Sequence, residues 1–170
     1  LINGSTTGLL SALLGCTERG DRILIARNCH KSVYNAVFLN DLHPVYIYPE
    51  FDETMELNMA VSPEKIERLL EEHKEVQAVV LTSPTYDGVL SDIERISEIV
   101  HQKKIPLIVD EAHGAHFHFS NYFPTSAAEL GADLVIQSTH KTLPALTQTA
   151  LIHLKGTRID RRKIRNYLHI

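Results

Sequence analysis

The sequence predicts an α/β protein with three layers, α/β/α, in which helices cover both faces of a mostly parallel central sheet. Short runs of Val, Ile and Leu alternate along the chain with amphipathic stretches. Such runs are typical of strands buried on both faces, because the helical crossovers of a parallel sheet cover it on both sides. A length of 170 residues with 44% hydrophobic residues fits a single globular domain, which we expect to span residues 1–170.

The expected elements follow from these patterns. Strands are predicted at residues 22–26, 44–48, 76–82, 106–110, 133–137 and 150–154. Helices are predicted at residues 5–14, 31–39, 62–73, 93–100 and 160–170. The first helix is expected to be capped by residues 4–7, Gly-Ser-Thr-Thr, and Ser62 followed by Pro63 marks the start of another helix. Residues 52–58 are expected to form a surface loop.

Composition and charge exclude several functional classes. The chain carries 17 Lys and Arg against 21 Asp and Glu, so it lacks the basic surface that nucleic-acid binding needs. No apolar run approaches the length of about 18 residues that predicts a membrane span. The N-terminus lacks the basic region and apolar core of a signal peptide, so a cytoplasmic location is expected. Cys16 and Cys29 are too few for a disulfide framework and do not form a metal pair.

Polar and reactive residues follow several of the predicted strands directly. These segments are residues 28–31, 82–88, 110–114 and 138–141. In an open α/β sheet, ligands bind at the carboxyl ends of the strands. The sequence therefore predicts a catalytic site at this edge of the sheet.

Two of the motifs allow more than one interpretation. Residues 3–8, Asn-Gly-Ser-Thr-Thr-Gly, open the first predicted helix, where free N–H groups and the helix dipole favour an anion. A phosphate site and a plain helix cap both remain open there, but a Walker A loop does not, because its pattern is absent. Residues 110–113, Asp-Glu-Ala-His, match the letters of a helicase box. Without a P-loop, we prefer a carboxylate that holds a cationic ring nitrogen.

The histidines and Lys141 also need interpretation. The spacing of His113, His116 and His118 fits none of the usual zinc patterns, so no metal site is predicted. His116 and His118 are interpreted as surface or dimer-contact residues. Lys141 follows a strand end behind Ser138, and a lone lysine is usually a solvated charge. In a partly desolvated pocket, however, a lysine loses its proton and forms a Schiff base.

Taken together, the motifs resemble the Orn/Lys/Arg decarboxylase class I family of fold-type I pyridoxal-phosphate enzymes. The resemblance is carried by Asn3-Gly4-Ser5-Thr6-Thr7, Arg27-Asn28-Cys29-His30-Lys31-Ser32, Thr82-Ser83-Pro84-Thr85-Tyr86-Asp87-Gly88, Asp110-Glu111-Ala112-His113-Gly114 and Ser138-Thr139-His140-Lys141-Thr142-Leu143. It implies the aspartate aminotransferase-like large domain of such an enzyme, which binds the cofactor. Because the chain starts directly in a motif and stops in a predicted helix, we expect an N-terminal part and a small C-terminal domain to be missing.

The resemblance also implies roles for individual residues. Lys141 would form the Schiff base with pyridoxal 5'-phosphate, and Asp110 would pair with the pyridine nitrogen. His30 would stack on one face of the ring, with Ala112 against the other face. The implied phosphate-binding residues are Ser5, Thr6, Thr7 and Ser138.

Two further histidines are implied to lie close to the reacting centre. These are His113 and His140, of which His140 is expected to handle the substrate or a proton. Asp87 and Glu111 are the candidates for the acidic group that reads a basic substrate.

The implied function is decarboxylation of arginine, lysine or ornithine to the corresponding amine, a polyamine precursor. The implied assembly is a homodimer or a higher homo-oligomer. Another fold-type I reaction, such as transamination, and a non-catalytic homologue are the alternatives that the sequence leaves open.

Overall fold

The computed structural model describes residues 1–169 and shows one large sheet with helices on both faces. The strands are β1 (Arg22–Ala26), β2 (His43–Ile47), β3 (Phe51–Asp52), β4 (Leu57–Asn58), β5 (Val76–Thr82), β6 (Leu107–Asp110), β7 (Leu134–Ser138) and β8 (Ala150–Leu154). The helices are α1 (Ser5–Cys16), α2 (Lys31–Leu39), α3 (Pro63–Glu72), α4 (Ile93–Gln102), α5 (Thr139–Thr142) and α6 (Arg161–Leu168), with a 3₁₀ turn at Phe117–Phe119. Each predicted strand and helix is therefore present within a residue or two, and Ile170 lies outside the described residues.

The large sheet has six strands in the order β2-β1-β5-β6-β7-β8. All neighbours pair in parallel except β8, which runs antiparallel to β7. This arrangement confirms the predicted α/β class with a mostly parallel sheet. It also brings the carboxyl ends of β1, β5, β6 and β7 to one edge.

Two hydrophobic cores hold the three layers together. One core packs α3 and α4 against one face of the sheet, with Ile66 and Ile96 fully buried. The other packs α1, α2 and α6 against the opposite face, with Leu13 and Ile164 fully buried. Strand residues supply both cores in alternation, because successive side chains of a strand point to opposite faces.

The stretch at residues 52–58 is mostly exposed, as expected of a surface loop, but its ends pair as a small hairpin of β3 and β4, which was not predicted. The Asp52 carboxylate closes the turn, because its Oδ1 accepts hydrogen bonds from the N–H groups of Thr54 at 2.8 Å and Met55 at 2.9 Å. Such local Asp contacts are typical of tight turns. Within residues 1–169, none of the helices has both the length and the apolarity to cross a bilayer.

Candidate active site

A cavity of about 660 Å³ lies at the carboxyl edge of the sheet, between the carboxyl ends of β1, β5, β6 and β7 and the amino end of α1. Its lining consists of Ser5, Thr6, Leu9, Asn28, His30, Thr82, Tyr86, Asp110, Ala112, His113, Ser138, His140, Lys141 and Gln148. The volume lies within the range of small-molecule sites. The fold thus brings nearly all of the predicted site residues together. Among the predicted cofactor-binding residues, Thr7 is not in the lining, and its hydroxyl donates to the Asn3 carbonyl at 3.1 Å. The two substrate candidates, Asp87 and Glu111, are not in the lining either.

Lys141 lies on α5, the single turn that directly follows β7, so the end of that strand sets its position. The Lys141 Nζ lies 3.0 Å from Nε2 of His113. Burial lowers the pKa of His113, and the positive charges of Lys141 and His30 lower it further. Because this imidazole is therefore mostly neutral near pH 7, its Nε2 accepts a hydrogen bond from the Lys141 ammonium.

Asp110 is the last residue of β6 and is only 4% exposed. Burial raises the pKa of Asp110 to about 6, against the opposing effects of a hydrogen bond from the Ala112 N–H and the charge of Lys141. That hydrogen bond spans 3.1 Å. An opposite charge beside a buried carboxyl favours its ionised form. Asp110 is therefore suited to hold a cationic group of a ligand.

Gly4 is the N-cap residue of α1, so the helix opens at the predicted Gly-Ser-Thr-Thr segment, but no side chain accepts from its free N–H groups. Instead, the Ser5 and Ser138 Oγ atoms lie 2.5 Å apart and connect α1 to the end of β7. Gly4 precedes the helix with φ 85°, and a Cβ atom there would collide with the Gln148 side chain. Uncapped N–H groups and the helix dipole make this end of α1 suitable for an anion.

His30 caps α2 from the other side of the cavity. Its Nδ1 accepts a hydrogen bond from the Ser32 N–H at 3.2 Å and lies 2.8 Å from the Ser32 Oγ. In the neutral ring, this places the proton on Nε2. Burial lowers the pKa of His30, and the charges of Lys141 and Lys31 add to this effect. His30 and Ala112 both line the cavity, as a pair flanking a flat ring would.

Asn28 and Thr82 lie in segments that were predicted to border the site, but sequence reasoning assigned neither of them a role, and Gln148 was not predicted to line the cavity at all. The Asn28 Oδ1 and the Thr82 Oγ1 are buried and have no hydrogen-bond partner among the described residues. Because buried polar atoms are nearly always paired, these two atoms indicate polar groups on a ligand. Their position was the available signal, since Thr82 ends β5 and Asn28 lies just beyond β1.

The remaining predicted residues fall into different environments. His140 lines the cavity, but its Nδ1 lies 2.9 Å from the Thr149 carbonyl oxygen and donates to it. Tyr86 is 85% exposed and packs edge-on against His113, with ring centroids 5.5 Å apart. Asp87 is exposed and outside the lining. Glu111 is buried with its own protein partners, so the expectation that it reads a substrate is wrong.

His116 and His118 do not enter the cavity lining. The His118 Nδ1 lies 2.9 Å from a Glu129 carboxylate oxygen, and the His116 ring packs against Phe117 and Phe123. Among residues 1–169, no three or more His, Cys, Asp or Glu side chains are grouped as a metal ion would require.

Comparison with known proteins decides the family. The sequence model described as the major domain of the Orn/Lys/Arg decarboxylases matches residues 1–170. The chain belongs to the Orn/Lys/Arg decarboxylase family. The resemblance read from the motifs is thereby confirmed.

Relatives within the family include characterised decarboxylases. The chain is 45% identical to the uncharacterized protein YaaO of Bacillus subtilis, covering 99% of this chain and 35% of YaaO. It is 34% identical to an arginine decarboxylase of Bacillus cereus, covering 91% of this chain and 34% of the relative. The structure of lysine decarboxylase A from Pseudomonas aeruginosa superposes with a TM-score of 0.82 at 25% identity, covering 99% of this chain and 25% of that one. This decarboxylase-family chain thus spans about a third of the length of its curated relatives.

Proposed function

We propose that this chain is the cofactor-carrying part of a pyridoxal-phosphate-dependent decarboxylase that acts on arginine, lysine or ornithine. The observation that carries the proposal is the meeting of Lys141, Asp110 and the uncapped end of α1 in one cavity. An amine, a carboxylate and an anion-binding helix end match the aldehyde, the ring nitrogen and the phosphate of that cofactor.

The residues of the cavity fit this cofactor. The volume of the cavity suits a small aromatic phosphate, and the unpaired buried oxygens of Asn28 and Thr82 can accept hydrogen bonds from polar groups of a ligand. Asp110 would hold the protonated ring nitrogen, and His30 with Ala112 would flank the ring. The proposed phosphate-binding residues are Ser5, Thr6 and Ser138. Thr7 is left out because its hydroxyl is engaged with the Asn3 carbonyl.

When bound to Lys141 as a Schiff base, the cofactor supplies an electron sink for the pair that a departing carboxylate leaves behind. Asp110 keeps a proton on the ring nitrogen, because an opposite charge next to that nitrogen favours its charged form. His30 and Ala112 restrict the orientation of the ring and hence the bond that is broken.

The proton of Lys141 has a specific acceptor in this proposal, namely His113. Its Nε2 lies 3.0 Å from the Lys141 Nζ, and its lowered pKa keeps the ring neutral, so the Nε2 lone pair is available to the lysine N–H. A neutral Lys141 amine is required before it attacks a carbonyl. His140 uses its Nδ1 on the Thr149 carbonyl, so only its Nε2 remains for a substrate. We therefore assign His113, rather than His140, to the proton of Lys141.

The substrate and the assembly are part of the same proposal. The matched relatives are named arginine and lysine decarboxylases, which supports a basic amino acid as substrate and a place in polyamine formation. Tyr86 borders the cavity while 85% exposed, which is a surface that a second copy of the chain would cover. We propose a homodimer or higher homo-oligomer that works in the cytoplasm.

The experiment uses the full-length protein. Pyridoxal phosphate is added, the protein is reduced with borohydride and digested, and the modified lysine is located by mass spectrometry. We expect the adduct on Lys141 and its loss in Lys141→Ala. No adduct on Lys141 in a folded protein with excess cofactor would contradict the proposal and favour a non-catalytic homologue.

A substrate panel then separates the possible reactions. Arginine, lysine and ornithine are each supplied to the loaded enzyme, and both carbon dioxide and keto acid are measured. Carbon dioxide release from one of the three is expected. Release of a keto acid instead would assign the protein to transamination.

A further inference from the structure

Glu111 is a fully buried carboxylate that directly follows Asp110 and that the proposed chemistry does not use. It is 1% exposed. Its oxygens accept hydrogen bonds from the Ser126 hydroxyl at 2.7 Å, the Ala127 N–H at 2.7 Å and the Gln137 Nε2 at 2.5 Å. Burial raises the pKa of Glu111, but all three partners donate, and this pattern fits an ionised carboxylate that only accepts.

The Gln137 side chain extends this contact across the sheet. Because its amide nitrogen donates to Glu111, its Oε1 accepts from the His153 Nε2, which lies 2.9 Å away. Glu111 follows β6, Gln137 lies on β7, and His153 lies on β8. We call this series the Glu111–Gln137–His153 chain. It links three neighbouring strands. Glu111 and Gln137 lie close to the site edge, whereas His153 stands opposite Val135, nearer the amino end of β7.

Two members of this series, Glu111 and Gln137, are immediate sequence neighbours of residues that line the cavity. Asp110, the last residue of β6, directly precedes Glu111, and Ser138 follows Gln137 on β7. Because successive side chains of a strand face opposite sides, Asp110 and Ser138 point to the cavity while Glu111 and Gln137 bond behind it. Any change in the distance between Glu111 and Gln137 is therefore passed to Asp110 and Ser138.

We propose that Glu111 is a positioning residue that, through Gln137, fixes the spacing of Asp110 against Ser138 and the α5 turn that carries Lys141. This inference rests on the proposed function. A ligand that must touch the ends of two strands at once needs that spacing held to a fraction of an ångström. The hydrogen bonds of the Glu111–Gln137–His153 chain fix this spacing of the strand ends from behind the cavity.

The test exchanges the two side chains of the central hydrogen bond in the full-length protein. Gln137→Glu alone places two carboxylates in contact, and we expect affinity for pyridoxal phosphate to fall about 10- to 100-fold. In Glu111→Gln/Gln137→Glu, the amide at position 111 donates to the carboxylate at position 137. That carboxylate still accepts from the His153 Nε2. We expect affinity to return to within about threefold of the original value, because the contact between positions 111 and 137 again joins a donor to an acceptor. The Ser126 hydroxyl, which donates to the Glu111 Oε2, lies 3.5 Å from the Gln137 Nε2 and can turn to donate to a carboxylate at position 137.

A matched pair of variants separates positioning from plain stability. Glu111→Ala and Asp133→Ala each remove a carboxylate that is 1% exposed and held by several donors, at opposite ends of β7. Both are expected to lower the melting temperature. Only Glu111→Ala should shift the pH midpoint of the absorption change of the bound cofactor. In the cofactor-free protein, Glu111→Ala should speed amide hydrogen exchange at residues 110–112 and 138–141, and Asp133→Ala should not.

The outcomes are distinct. Recovery of affinity in the exchanged double variant supports the inference. A double variant no better than Gln137→Glu, or equal spectra and exchange for Glu111→Ala and Asp133→Ala, overturns it. If the unaltered protein formed no Lys141 adduct, the proposed function would fail instead, and the exchange rates of the cofactor-free protein would still decide the role of Glu111.

Discussion

Each end of the central sheet contains a buried aspartate, and the two aspartates differ in how many hydrogen bonds they accept. At the amino end, Asp133 is 1% exposed and accepts hydrogen bonds from the His101 Nε2 at 2.8 Å, the Leu107 N–H at 2.9 Å and the Arg158 Nε at 3.0 Å. At the carboxyl end, Asp110 is 4% exposed, and the hydrogen bond found for it among the described residues comes from the Ala112 N–H.

This difference in hydrogen bonding indicates different roles for the two ends of the sheet. The partners of Asp133 join α4, β6 and the segment after β8, so the amino end stabilises the structure. The carboxyl end keeps Asp110 poorly paired and leaves the buried oxygens of Asn28 and Thr82 without partners among residues 1–169. Unpaired buried groups cost stability and are typical of functional sites. The carboxyl end is thus built for a ligand that completes it.

The largest expected effect comes from Lys141→Ala. We expect decarboxylation by the full-length enzyme to fall by several orders of magnitude, because the amine that holds the cofactor is gone. Lys155→Ala is the matched control, since Lys155 follows β8 at the amino end, where its Nζ donates to the Ala128 carbonyl. The Lys155→Ala variant should retain its activity per folded molecule. Comparable losses in both variants would remove the distinction between the two ends.

Asp133→Asn tests the amino end. It removes a buried charge that accepts three hydrogen bonds, but the Arg158 side chain stays 30% exposed and keeps part of its hydration, so we expect the free energy of unfolding to fall by about 1–3 kcal/mol. The measurement is urea denaturation of the full-length protein. The affinity of the folded fraction for pyridoxal phosphate should stay unchanged, and a selective loss of that affinity would speak against a purely structural amino end.

The pH dependence of stability tests the carboxyl end. The pKa of Asp110 is raised from 3.8 to about 6, so the folded protein holds this proton more tightly than the unfolded chain does. Stability from this group is therefore present below about pH 4 and is lost as the pH rises to about 6, by about 3 kcal/mol. Cofactor-free Asp110→Asn should lack this component in denaturation curves recorded across that range. An unchanged pH profile in the variant would contradict the assignment.

The smallest expected effect separates two histidines. His113→Gln should slow formation of the Lys141 adduct by about 10- to 100-fold, because the acceptor for the lysine proton is lost. His140→Gln should leave that rate within about threefold, since its Nδ1 is engaged with the Thr149 carbonyl. The rate is followed by absorbance after mixing cofactor-free protein with pyridoxal phosphate. The reverse ranking would return the role to His140.

Much of the fold could be predicted because the buried strands are almost pure Val, Ile and Leu runs. The strand at 76–82 and the antiparallel strand at 150–154 match their predicted bounds. The start of α1 at Gly-Ser-Thr-Thr was predicted, but the contact of Ser5 with Ser138 was not, because the two residues are 133 positions apart and their contact cannot be read from local sequence. The hairpin pairing within the predicted surface stretch at residues 52–58 was not predicted either, because the Asp52 carboxylate, and not an apolar pattern, closes the turn.

The site was predictable wherever a reactive residue ends a buried strand, as Asp110 does. Asn28 and Thr82 lay in predicted site segments but received no role, because ordinary polar side chains carry no chemical signature until burial leaves them unpaired. Glu111 was misassigned as a substrate contact, although strand alternation from Asp110 already places it on the opposite face. The roles of Lys141 and its neighbours towards a cofactor stay predictions.

One end of the central sheet stabilises the fold, and the other end is suited to a ligand at the expense of stability. The free energy of unfolding of full-length, cofactor-free Asp110→Asn and Asp133→Asn near pH 7 distinguishes the two ends. Asp110→Asn should raise the free energy of unfolding, because it removes a costly buried charge, and Asp133→Asn should lower it. A loss of stability in Asp110→Asn as large as in Asp133→Asn would show that both ends serve stability alike.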